Sequence, residues 1–326
     1  MEQRKLIKLG NSSFAIALPK NWVEKSGLIK GDRIFLEQNV NGEIIVSSEF
    51  KKPGSEKEIV LNIESKTKEE IKREFTSNYI KGGSVFIFKG KVNDEISKYI
   101  KEMVKEYLSC EIIEKKNEEI IVKDLFNIVE LNVINSIKRM DNNIRELFDI
   151  IIKGIKEGKI TKNYVEEIKK IDFDVNKFYF LNSRIMMMGF SNPSFIAKIK
   201  LTPLELFNSW WLTFYLEQIG DDLKSITKKI GVERFNNKLR EILVQILDSL
   251  QKKYQSSLKI FYDNKSEEAY KLMGDKKIIQ ISESLYKTSW KLYRHINESV
   301  IRIDRAIYQI IKIISYMKDE NGRKTA

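Results

Sequence analysis

At 326 residues, 42% hydrophobic and 32% charged, the chain is long enough for two or three domains with real cores and has the balance of a globular protein. A single cysteine, Cys110, excludes a disulfide framework, and a single histidine, His295, excludes a histidine-rich metal cage; a reducing cytoplasm suits both. The net charge of +12 invites an anionic partner, but lysines are scattered throughout, so much of the excess reads as solvated surface and charge alone does not argue DNA binding.

Residues 1–50 read as four short strands, 4–8, 14–18, 33–37 and 43–47, with a helix from Pro19 through Lys25 that ends at Gly27. The opening Met1-Glu2-Gln3-Arg4-Lys5 is too polar to begin a signal peptide. Fifty residues of this kind bury too little to be stable alone, so a homodimer is expected. The blocks Lys8-Leu9-Gly10-Asn11-Ser12, Leu18-Pro19-Lys20-Asn21-Trp22, Ser26-Gly27-Leu28-Ile29-Lys30-Gly31-Asp32 and Gly42-Glu43-Ile44-Ile45-Val46 resemble the AbrB/MazE/SpoVT DNA-binding module. The resemblance implies a swapped-hairpin β-barrel built by two chains, or in some members a dimerising handle that binds a protein. It places Arg4, Lys5, Lys8 and Lys20 at basic positions facing DNA, with Asn11 and Ser12 adding polar contacts from the loop. Six cations (4, 5, 8, 20, 25, 30) against Glu2 and Glu24 in the first thirty residues would double in a dimer into a field able to displace phosphate counterions. The plainer reading is of lysines guarding strand edges.

Residues 51–57 are a linker by composition, and residues 57–123 read as a small α/β linking domain of order β-α-β-α-β-β, a spacer or dimerisation module. Cys110, opening an apolar strand, reads as a small buried hydrophobe.

From Asp124 the pattern turns helical through about residue 320, with breaks at Gly154/Gly158, Gly189 to Pro193, Gly231, Asp263 to Ser266 and Gly274-Asp275. The most apolar window, 206–219, is too short and polar to span a bilayer, so no membrane insertion is expected. Within the helix around Ile219, Glu217 and Asp221 share one face with Trp210, Phe214, Lys224 and Lys228, opposite a core stripe of Asn208, Leu212, Leu223, Ile226 and Ile230. On spacing alone the two acids are a solvated patch balanced by lysines, or two oxygen donors for one cation.

A weak internal repeat aligns Leu216, Ile219, Leu223 and Ile226 with Val300, Ile303, Ile307 and Ile310, and Asp172, Val175 and Asn176 with Asp275, Ile278 and Ile279, ahead of each long helix. With the signature Glu217-Gln218-Ile219-Gly220-Asp221-Asp222-Leu223-Lys224-Ser225-Ile226 and the run from Asp174 to Arg184, the helical half resembles the archaeal form of the PhoU family of phosphate-uptake regulators. That resemblance implies an all-α tandem three-helix bundle over residues 124–320 and a divalent or iron ion held by acids. Here the second repeat carries Ile301 and Arg305 where acids belong, so a two-cluster arrangement does not follow. A single degenerate site would rest on Glu217, Asp221 and Asp172.

Of the remaining features, Trp211, Phe214 and Tyr215 read as core, Trp210 as an exposed contact, Met186-Met187-Met188 as a loosely packed helix end and His295 as structural or exposed. No nucleophile–base or paired catalytic carboxylate constellation is present, so a non-enzymatic protein is expected. The combined reading is a cytoplasmic, dimeric DNA-binding regulator linked to phosphate uptake or signalling. Its alternative is an adaptor that docks on a phosphate transporter or sensor kinase; an antitoxin-like binder fits the large helical half poorly.

Overall fold

Turn chemistry shapes the N-terminal residues. Gly10, at φ +65°, reverses the chain between β1 (Ile7–Leu9) and β2 (Ser13–Ala15), an antiparallel pair in which Lys8 stands opposite Phe14. Pro19 precedes α1 (Lys20–Lys25), and Gly27, at φ +66°, ends it as the Leu28 amide donates back to the Val23 carbonyl at 3.1 Å. A second antiparallel pair follows, β3 (Phe35–Gln38) with β4 (Ile44–Ser47), registered Phe35 to Ser47. The computed structural model describes residues 2–38, 42–48, 57–125, 132–158, 161–230, 237–274 and 290–317. It divides into two units, Met1–Ser55 and Glu56–Ala326. The first pair of strands is shorter than the sequence spacing predicts, three residues each. The linker at 51–56 lies outside the described residues.

The second unit begins with a four-stranded sheet of order β5-β6-β8-β7. β5 (Glu58–Asn62) and β6 (Val85–Lys89) run parallel, joined by α2 (Lys68–Ile80); β8 (Glu119–Asp124) is antiparallel to both β6 and β7 (Cys110–Lys115). Thr67 and Glu70 close a reciprocal capping box on α2, and Asn93 caps α3 (Asp94–Val104) through the Ile96 amide. Both helices bury one sheet face: Leu61, Phe86, Phe88, Ile120 and Val122 pack with Phe75, Tyr79, Ile100 and Tyr107. Cys110 is buried in this cluster, and burial pushes its thiol well above the usual range.

The helices are α4 (Val133–Glu157), α5 (Lys162–Ser191), α6 (Pro193–Ile199), α7 (Pro203–Ile230), α8 (Asn237–Tyr262), α9 (Ser266–Met273) and α10 (Trp290–Tyr316). α4, α5 and α7 pack pairwise; α8, α9 and α10 pack on one another; α7 against α10 and α4 against α8 join the two groups around one continuous apolar core. The skeletons aligned by the repeat, Leu216-Ile219-Leu223-Ile226 and Val300-Ile303-Ile307-Ile310, are all buried in it.

Several boundaries differ from the sequence reading. Asp124 ends strand β8, and the first long helix starts at Val133, its end capped by Asn132. Gly154 sits inside α4, which stops at Gly158 (φ +74°). Gly189 does not break α5: a Cβ there would lie 2.3 Å from Leu206 Cδ2, so the glycine marks a close approach of α7. Met186 to Met188 are therefore within α5, and Asp172 lies inside that helix rather than ahead of it. Gly231, Asp275, Ile278 and Ile279 lie outside the described residues.

Arg184 of α5 fastens the sheet layer to the bundle. Its guanidinium donates to the carbonyls of Tyr79 (2.5 Å) and Gly83 (2.6 Å), pairs with Asp124 at 3.1 Å and lies over the Tyr79 ring at 4.7 Å. Both charged side chains are almost wholly buried, 3% and 2% exposed, and so depend on each other and on those carbonyls.

Candidate functional site

Two places carry the residues singled out by the sequence. In the N-terminal unit Arg4 and Lys5 lead into β1, Lys8 lies within it, Asn11 and Ser12 form its turn, and Lys20 opens α1. All six are exposed. Arg4 meets Glu2 at 3.1 Å and Lys20 meets Glu24 at 3.6 Å, loose surface pairs that leave the cations open to another anion.

The apolar residues around them are exposed as well. Ile7, Leu9, Phe14, Ile16, Leu36 and Ile44 are 53–67% exposed, and among the described residues of 1–55 not one is buried. Strands with β-branched and aromatic side chains in open water do not offset chain entropy. This unit encloses no core of its own among its described residues.

In the bundle the carboxylates surround a lysine. Lys224 Nζ donates to Asp172 Oδ2 and to Asp221 Oδ1, both at 2.6 Å, crossing from α7 to α5. Burial works against its charge, but these two hydrogen bonds outweigh it and hold the ammonium above its ordinary value. Burial raises the Asp172 carboxyl despite Lys224. Glu217, one turn before Asp221, is half-buried rather than outward. Burial first, then the charges of Asp221 and Asp172, push it up to about 7.

Lys224 thus stands between two acids of the expected set, Asp172 and Asp221, with Glu217 beside them, and among the described residues no group of three Asp, Glu, His or Cys side chains is arranged to hold a metal ion.

Glu217 instead lines a cleft of about 630 Å³ between α7 and α10. Across it Arg302 grips Asp222 with Nε at 2.9 Å and Nη2 at 2.5 Å, while Arg305 and Gln309 border the opening. Arg305, from the second of the two aligned segments, thus lines the same cleft as Glu217 and Asp221 from the first.

The aromatic residues of α7 differ from expectation: Trp211 and Phe214 are half-buried and lie outside the apolar core, and Tyr215 packs only at its edge. Phe207, Trp210, Trp211, Phe214 and Tyr215 form a ladder of ring contacts 5.0–6.1 Å apart, and Trp210 donates its indole N–H to Ser183 at 3.3 Å, so it is tied to α5 instead of free. His295 is exposed and lies 3.4 Å from Glu298.

Sequence reasoning missed the buried polar anchors: Asp141, which accepts from Arg145, Tyr254 and Tyr262 at 2.8–3.1 Å; the Arg184–Asp124 pair; and Asn182, which links Ser136 and Thr213. Apart from Arg145, four residues from Asp141, their partners lie far apart in sequence; a polar residue within an apolar stripe was the available signal.

Residues 7–57 match the sequence profile of the family described as "Antidote-toxin recognition MazE, bacterial antitoxin". No curated protein matches the chain. No solved structure matches it either. Among the described residues no helix is long and apolar enough to cross a membrane.

Proposed function

We propose that the protein is a non-enzymatic, dimeric DNA-binding regulator whose N-terminal unit contacts DNA and whose helical half senses or relays a signal. The observation that carries this reading is the N-terminal unit itself: a MazE-type segment with every described apolar side chain unburied and Arg4, Lys5, Lys8 and Lys20 open to solvent. Two copies interleaving those strands would bury the apolar residues and double the basic surface, giving the counterion-releasing field that DNA binding requires. The swapped-hairpin barrel is the arrangement this reading adopts. Its link to phosphate uptake rests on the PhoU-like signature from Glu217 to Ile226, and its cytoplasmic location on the nature of its target.

A gel-shift titration across salt concentrations tests it. The full chain should bind duplex DNA at low salt and weaken linearly in log–log form. Lys8→Ala with Lys20→Ala should flatten that slope by about 0.9 for each phosphate no longer neutralised. A dimer that binds no DNA at low salt overturns the reading and supports the adaptor that docks on a transporter or sensor kinase.

A further inference from the structure

The four-stranded sheet has a second face that no helix among the described residues covers. Side chains alternate along a strand, so the registers place Val60, Ile87 and Ile121 side by side across β5, β6 and β8 on the face opposite α2 and α3. Val60 is 57% exposed, Ile87 and Ile121 are partly exposed, and the bulged residue Ile113 of β7 extends the row at 53%. None of the four belongs to either apolar core. The row is bordered on one side by Glu58, Lys123 and Glu111, and on the other by Asn62, Lys89, Glu119 and Lys116.

The order of these charges is self-complementary. A twofold axis running along the apolar row turns one border onto the other. Lys123 then meets the copy's Glu119, Glu111 meets the copy's Lys116 and Glu58 meets Asn62, while Val85, on the same border as Lys123, is already buried within its own chain. Each opposite-charge pair occurs twice. Within one chain Lys116 already holds Glu114 at 2.9 Å and Glu119 at 3.0 Å, so the pairs across the twofold would extend this cluster into a network; Glu114, at the edge, approaches its own copy, and the roughly 30° angle between packed sheets splays such edges apart.

We propose that this open sheet face packs against the same face of a second copy of the chain. The face measures on the order of 300 Å², well below the ~800 Å² per partner of a free-standing interface. It therefore needs tethering, and the inference rests on the dimeric reading of the N-terminal unit: two chains joined there hold their sheets at an effective concentration in the millimolar range.

The test uses the full chain carrying Ile121→Cys. Cys110 is buried with its thiol raised, which makes the background quiet. Sheets packed face to face lie ~10 Å apart, so a bis-maleimide of about that span should join two copies at least tenfold more efficiently than in a Lys98→Cys control on the outer side of α3. Adding Lys123→Glu should cut the yield at least fivefold, and adding Glu119→Lys to that should restore it. A yield no higher than the control, in a protein that light scattering shows to be dimeric, overturns the sheet contact and leaves the N-terminal dimer standing. A monomer overturns both. Failure of the charge swap to restore cross-linking overturns the proposed pairing.

Discussion

The two units of this chain solve the same problem in opposite ways. The second unit buries its apolar residues within itself, with Phe75, Tyr79, Ile144, Leu216, Ile219 and Ile303 fully enclosed. The first displays Phe14 and Leu36 at 63% and 66% exposure and encloses nothing among its described residues. Both are built from ordinary strands and helices with proper turns and caps. What differs is whether apolar side chains are enclosed within the chain, which teaches that well-formed secondary structure says little about where a core lies.

The sharpest way to break that contrast is Phe14→Asp. If Phe14 is covered in both copies of a dimer, the substitution removes about 1.5–3 kcal/mol of burial per copy, roughly 3–6 kcal/mol per dimer. Sedimentation equilibrium should show dimerisation weakened by at least a hundredfold, while the unfolding of residues 56–326 keeps its denaturant midpoint. An unchanged dimer would mean that the exposed strands are not its seat. Arg184→Met applies the complementary break. It removes the buried cation paired with Asp124, costs about 3–5 kcal/mol in urea denaturation of the second unit, and leaves dimerisation intact.

Two smaller changes sharpen the contrast inside the bundle. Gly189→Ala drives a methyl into Leu206 and should destabilise by about 1–3 kcal/mol in the same assay; the equivalent substitution at Gly274, where nothing lies within 4 Å, should cost almost nothing. Glu217 sets a pH dependence. Its carboxyl titrates near 7 in the folded state against an ordinary 4.5, so the folded state holds the extra proton between those values. Stability should fall as pH rises through that window, by on the order of 1–2 kcal/mol once partial exposure is allowed for. Glu217→Gln should abolish the fall, which urea midpoints at pH 5 and pH 8 would read directly.

Much of the fold is legible in the chain because its signals are local. Gly10, Pro19 and Gly27 mark the turns of the first unit. The 3.6-residue periodicity marks the long helices, and Thr67, Asn93 and Asn132 cap three of them. The errors come where one local signal has two causes. Gly154 and Gly189 read as helix breaks, yet both lie inside helices, and Gly189 at least is there because a neighbouring helix crosses too closely for a side chain. The acids at 172, 217 and 221 were legible as a group, but their neutralisation was not. Lys224 reaches Asp172 across 52 residues of sequence, and Tyr254 reaches Asp141 across 113. Pairings of that range depend on which helices pack together, and no local pattern encodes it.

Helix α5 carries Asp172 of the carboxylate cluster and the Arg184 sheet clamp on one continuous element. Asp172 and Arg184 are twelve residues apart, about 18 Å along the axis, and a helix is stiff along its length. The acid–lysine cluster near the cleft and the guanidinium embedded in the sheet layer are thus two ends of a connecting rod. A tilt of α5 at its Asp172 end would therefore be met by the hydrogen bonds that Arg184 makes to the carbonyls of Tyr79 and Gly83.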